Sequence, residues 1–158
     1  MFAAEKNVGH SSIYRLKADD IYMGKFKSSG VLIATGTGST GWMKSAKRTT
    51  YGDVDGVLRH LGFSENEHTI SAIADEMSQQ TRFDENLPQC YYYVREPQSR
   101  EGYENGCQGF AKKVEFLGEL FDGMISVDGL VNMKLQFGDR FVCETDRAFG
   151  LKTMRFLL

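Results

Sequence analysis

The stretch Thr35-Gly36-Thr37-Gly38-Ser39-Thr40-Gly41-Trp42 holds the residue types best suited to gripping a ligand. Glycines let backbone N–H groups come close to a bound molecule. Threonine and serine hydroxyls add donors and acceptors that suit phosphate, ribose or a base edge. The compact apolar run 31–35 reads as a buried strand feeding this loop. Ser39 or Thr40 is the expected N-cap of a helix through Trp42, Met43 and Ala46, whose first turn offers unpaired N–H groups and a positive dipole end. Trp42 presents a flat face for a base, or anchors a core. The spacing fits neither a Walker P-loop nor the GxGxxG dinucleotide fingerprint. On local physics, a nucleotide site and a capped turn stand about level.

Other chemistry is sparse. Cys90, Cys107 and Cys143 have no zinc spacing, and their number is odd, so they read as reduced, partly buried thiols. His10, His60 and His68 are scattered, and no metal site is expected. Asp19-Asp20 and Asp128 stand in turn contexts; with Asp53, Asp55, Asp122 and Asp139 they form no catalytic constellation around the loop. Lys44, Lys47 and Arg48 follow the loop and could meet phosphates, although a solvated helix end explains them as well. Tyr91, Tyr92 and Tyr93 read as sheet and core.

The elements that must position the loop follow from periodicity. Strands are expected at 12–18 and 21–27 around an Asp19-Asp20 turn, at 31–35, 90–95, 112–117, 124–127, 131–137, 140–145 and 152–158. Asp128-Gly129 is a hairpin signal, and Val131, Met133, Leu135 and Phe137 alternate as one buried face. A helix at 53–61 carries Val54, Val57, Leu58 and Leu61, and Gly62 ends it. Ser64, with Glu67 at capping-box spacing, opens another bearing Ile70, Ile73, Ala74 and Met77. Residues 83–88 and 98–110 are loops. Helices confined to the middle third exclude βαβ alternation. The fold class is mainly β (α+β): an antiparallel, sandwich-like sheet with a helical segment, spanning 1–158 as one domain.

The chain has 158 residues, 41% hydrophobic and 25% charged, the composition of a globular domain. A formal net charge of −2 gives no general case for nucleic acid or an anionic membrane. No apolar run approaches the ~20 residues of a membrane span, and no signal-peptide pattern opens the chain.

Ser29-Gly30-Val31-Leu32-Ile33-Ala34-Thr35-Gly36-Thr37-Gly38-Ser39-Thr40-Gly41-Trp42 resembles the signature that most NAD kinases write as D-G-L-I-V-S-T-P-T-G-S-T-A-Y. Gly36 stands for the usual Pro, Trp42 for Tyr, and Lys27-Ser28-Ser29-Gly30 precedes the strand. These variants, with Val94-Arg95-Glu96-Pro97 and Val127-Asp128-Gly129 later in the same order, resemble the mitochondrial branch of that family.

The resemblance implies the β-rich C-terminal domain of an NAD kinase, which phosphorylates the 2'-hydroxyl of NAD with ATP and Mg²⁺ to make NADP. Thr37, Thr40, Gly41 and Trp42 match positions that contact the dinucleotide, and Ser45 one near the ribose and phosphates. Ser29 matches an Asp on the nicotinamide side; serine hydrogen-bonds but brings no charge. The family's Gly-Gly-Asp-Gly, whose Asp activates the ribose hydroxyl, belongs to an N-terminal α/β lobe, and this sequence has no Gly-Gly pair. The Asn-Glu pair that grips ribose hydroxyls would lie just before Phe2. No catalytic residue is therefore assigned here, and the chain alone is expected to lack turnover. A homodimer joined through strands near 124–145 is implied, with NAD and ATP as small-molecule partners, in mitochondria or otherwise in cytoplasm. Two other readings remain: the corresponding domain of a lipid kinase, and a non-catalytic nucleotide-binding or assembly module.

Overall fold

The computed structural model describes residues 1–98, 106–146 and 148. Two compact units emerge: one from Met1–Ile33 with Pro88–Leu158, the other from Ala34–Leu87.

The first unit is a β-sandwich. Its strands are β1 (Phe2–Glu5), β2 (Ser12–Ala18), β3 (Ile21–Ser28), β4 (Gly30–Ala34), β5 (Cys90–Arg95), β6 (Gln108–Ala111), β7 (Lys113–Gly118), β8 (Gly123–Val127), β9 (Val131–Leu135) and β10 (Arg140–Glu144). Among the described residues, a six-stranded sheet runs β6-β5-β4-β1-β8-β9, and a four-stranded sheet runs β10-β7-β2-β3. Alternation builds the core. Tyr14, Leu16 and Ala18 of β2 point inward with Cys90, Tyr92 and Val94 of β5, and both sheets feed one apolar cluster that includes Phe26, Val31, Val114 and Phe116. Tyr14 stacks on Phe116 at 4.6 Å. Burial pushes its phenol far up, so it stays protonated, and its hydroxyl meets Ser28 Oγ at 2.7 Å.

Turn chemistry agrees with the sequence. Asp19 and Asp20 have φ of 48° and 66°, and Asp128 and Gly129 have 51° and 72°. Positive φ at two successive central residues is the primed hairpin turn that matches strand twist. Asp19 Oδ1 also accepts the N–H groups of Lys112 and Lys113, at 2.8 and 2.9 Å.

Several expectations need correction. β1 was not foreseen; its four residues pair between β4 and β8. Part of the expected 98–110 loop is β6, paired with β5. Of the alternating residues Val131, Met133, Leu135 and Phe137, only Leu135 is buried. Among the described residues, β9 is the outer strand of its sheet and pairs only with β8. The expected strand 152–158 lies outside the described residues.

The second unit is helical: α1 (Trp42–Ala46), α2 (Tyr51–His60) and α3 (Glu67–Gln79). Thr50 caps α2 with a reciprocal box to Asp53. This box moves the start of α2 two residues ahead of the expected one. Asn66, not Ser64, caps α3, accepting the N–H of Thr69 at 2.9 Å. Val54, Ile70 and Ala74 form a small core flanked by Leu58 and Ile73. Val57, Leu61 and Met77 are exposed, so each expected apolar stripe is only partly used.

Candidate functional site

β4 carries the chain from the sandwich towards the loop. Its entry needs Gly30, which has φ +125°. A Cβ there would lie 2.7 Å from the carbonyl oxygen of Ala3 and 2.7 Å from the Phe2 ring, closer than any ordinary contact allows.

The loop itself is a 3-10 turn, Thr37–Thr40, followed by α1. The expected cap is corrected. Gly41 is the N-cap of α1 and makes no side-chain cap bond. Ser39 Oγ instead donates backward to the carbonyl of Gly36 at 2.6 Å, and Thr40 Oγ1 to that of Thr37 at 3.1 Å. Short polar side chains compete with helix capping by closing local turns of this kind. With only five residues, α1 sums few peptide dipoles, so the loop's own polar groups matter more than a helix end.

Two buried residues hold the loop from beneath. Ser39 is fully buried, and its Oγ accepts the N–H of Phe83 at 3.4 Å. Gly36 lies against the backbone of Asp84 and Glu85; a Cβ there would come within 2.3 Å of the Asp84 carbonyl oxygen. Gly36 has φ −53°, an angle that proline would accept. The 83–87 backbone, and not the dihedral, demands glycine. Here the usual proline of the signature cannot fit.

With Gly36, Ser39 and Met43 turned inward, Thr37, Thr40, Gly41, Trp42 and Ser45 are all exposed. Trp42 is 50% exposed, so it is no core anchor. The structure thus brings five of the six expected contact residues together on one short loop and its helix. Ser29 belongs to the sandwich, at the bend between β3 and β4.

Ser29 has a partner that the sequence did not mark. Its hydroxyl hydrogen-bonds the Glu96 carboxylate, and its N–H donates to the carbonyl of Arg95 at 3.0 Å. Arg95 pairs with the other Glu96 oxygen at 3.0 Å. Bonding to Ser29, and then the Arg95 charge, hold Glu96 below the usual carboxylate range. Glu96 also has φ 49°, uncommon for a residue other than glycine. Serine at a position where the family signature has aspartate was the one available hint of a second carboxylate.

The remaining aspartates have structural work. Asp53 caps α2, Asp55 pairs with Arg59 at 2.9 Å, Asp20 with Lys113 at 2.8 Å, and Asp139 accepts the N–H of Gln136 at 2.7 Å. Among the described residues, no three His, Cys, Asp or Glu side chains gather in a way that would hold a metal. No helix among them is long and apolar enough to cross a membrane.

This mainly antiparallel sandwich has the fold of solved NAD and NADH kinases. Yeast NADH kinase complexed with NADH matches 89% of this chain, and 32% of its own, with a TM-score of 0.56 at 17% identity. The NAD kinase of Archaeoglobus fulgidus in complex with ATP matches 92% of this chain, and 44% of its own, with a TM-score of 0.58 at 14% identity. At such identities the likeness is one of fold.

In sequence, the chain is similar to NAD kinase 2, mitochondrial, of Homo sapiens: 26% identical over 145 residues, 87% of this chain and 33% of the relative. The Xenopus tropicalis protein of the same name is 26% identical over 135 residues, 81% of this chain and 32% of the relative. The chain therefore spans about a third of the length of the curated relatives it matches. No family model matches it. The resemblance to mitochondrial NAD kinases holds over most of the chain.

Proposed function

We propose that residues 1–158 are the dinucleotide-binding, C-terminal portion of an NAD kinase, which transfers a phosphoryl group from ATP to the 2'-hydroxyl of NAD. The observation that carries this reading is the loop. Its matched positions Thr37, Thr40, Gly41, Trp42 and Ser45 are exposed together, while Gly36 and Ser39 fix it from within. Hydroxyls, close backbone and a half-exposed indole suit ribose, phosphate and a base.

Ser29 belongs to the same reading. Beside it, Glu96 provides the negative charge that serine lacks at the position of the family's aspartate. The pair is suited to accept hydrogen bonds from a carboxamide or ribose.

Phosphoryl transfer also requires positioned ATP, a metal and a group that aligns the nucleophile. Mg²⁺ is proposed as the ion that accompanies ATP. The catalytic group is assigned to an N-terminal lobe beyond this chain, and the chain alone is expected to be inactive. Two relatives are named as mitochondrial proteins, which supports that compartment. A homodimer joined through the strands near 124–145 is part of the proposal; Val131 and Met133 are exposed there.

Titration calorimetry of the chain with NAD, NADP, ATP and a diacylglycerol dispersion tests the binding reading. Binding of NAD or NADP in preference to diacylglycerol is expected; preference for the lipid would move the chain to the lipid-kinase reading. An assay with NAD, ATP and Mg²⁺ should give no NADP, and NADP formation would overturn the assignment of catalysis elsewhere.

A further inference from the structure

Cys90 and Cys143 come from different sheets and meet at one corner of the sandwich. Cys90 sits opposite Ala111 in the β5–β6 pairing, and Cys143 opposite Val114 in the β10–β7 pairing. Only Lys112 and Lys113 separate Ala111 from Val114, where the chain passes from one sheet to the other. The ends of the two cysteine strands are tied at this corner. Thr145 Oγ1 donates to the carbonyl of Pro88 at 3.2 Å, and Thr145 N–H to that of Lys112 at 2.8 Å. Two residues before Thr145 stands Cys143, and two after Pro88 stands Cys90, each packed in or against the shared core. Cys90 Sγ donates to the carbonyl of Ala111 at 3.2 Å.

We propose that Cys90 and Cys143 form an oxidisable dithiol, a modification site that takes peroxide and closes as a disulfide between the two sheets.

Cys143 is half-buried on β10, the outer strand of its sheet among the described residues, whereas Cys90 is buried. Access therefore assigns the first step to Cys143. Its thiolate attacks one peroxide oxygen, giving a sulfenic acid and releasing the other oxygen as water. Cys90 then attacks the sulfenic sulfur and expels a second water as the S–S bond forms. In sum, two thiols and one hydrogen peroxide become one disulfide and two waters. The electrostatics agree with this order: each thiol acts on the other, lowering Cys143 and raising Cys90, which favours one thiolate over two. Cys107 lies outside the pair, and burial raises its thiol.

The test is hydrogen peroxide treatment of the native chain, then alkylation in denaturant and non-reducing peptide mapping. The reduced chain carries three alkylatable thiols; after oxidation one should remain, at Cys107, with a linked Cys90–Cys143 peptide. Closure should raise the thermal midpoint by on the order of 5 °C, reversed by a thiol reductant. Cys143→Ser should leave Cys90 alkylatable after peroxide, and Cys107→Ser should leave the bond intact. Three free thiols after treatment, a Cys107-linked peptide, or Cys143 ending as sulfinic acid beside a free Cys90 would each overturn the proposal.

Discussion

The Ser29 hydroxyl is hydrogen-bonded to the Glu96 carboxylate. The bend before β4 and the exit of β5 thereby place a hydroxyl and a charge side by side. Glu96→Gln keeps a hydrogen-bonding side chain and removes the charge. NAD affinity of the chain should fall roughly tenfold, the loss of one charge-assisted hydrogen bond. Ser29→Asp, which restores the family's residue, should weaken binding too, because two carboxylates would then face each other. Calorimetry measures both; wild-type affinity in Glu96→Gln would remove Glu96 from the site.

Gly36 should tolerate neither alanine nor proline. Either residue pushes a carbon into the Asp84–Glu85 backbone, at a cost of about 1–3 kcal/mol. Urea denaturation should show this loss for both variants. An unchanged midpoint for Gly36→Pro would mean that the 83–87 segment yields.

Trp42 is half exposed, so its removal should affect a ligand more than the fold. Trp42→Ala should change stability by less than ~1 kcal/mol and weaken dinucleotide binding about three- to tenfold, the contribution of a stacked ring. Trp42→Phe should recover most of the affinity. A large stability loss with unchanged binding would return Trp42 to a packing role.

Thr50→Ala removes the side-chain acceptor that caps α2. A loss of about 1 kcal/mol is expected, together with faster hydrogen exchange in the first turn of α2. Protection unchanged in that turn would show that the cap contributes nothing.

Acid should weaken the sandwich through its paired glutamates. Glu115 is held below the usual range, first by its hydrogen bond from Arg140 at 2.5 Å. A carboxyl lowered in the folded state stabilises above its unfolded pKa, and that contribution is lost as pH falls through the folded value. Denaturant midpoints should therefore drop as pH is lowered below about 4.5. Glu115→Gln should start from a lower midpoint at neutral pH and decline less steeply. An equally steep decline would show that Glu115 carries no such linkage.

Much of the fold was legible locally. The Asp19-Asp20 and Asp128-Gly129 turns, the strands Ser12–Ala18 and Cys90–Arg95, and the mainly β character all follow from neighbouring residues. Turn residues and period-two patterns act over a few positions, so a single stretch of sequence contains them. β1 and β6 were not legible, because Phe2–Glu5 and Gln108–Ala111 become strands only by pairing with distant partners.

The candidate site divides in the same way. The sequence by itself determined that a strand leads into a loop of glycine and hydroxyl residues, because residue type and spacing suffice for that. The tertiary structure decided which hydroxyls face inward: Ser39 folds back onto Gly36, while Thr37 and Thr40 stay exposed. It also decided why position 36 is glycine and where a carboxylate for Ser29 comes from. Asp84 and Glu96 are remote in the chain, and only folding brings their backbone and charge to those positions.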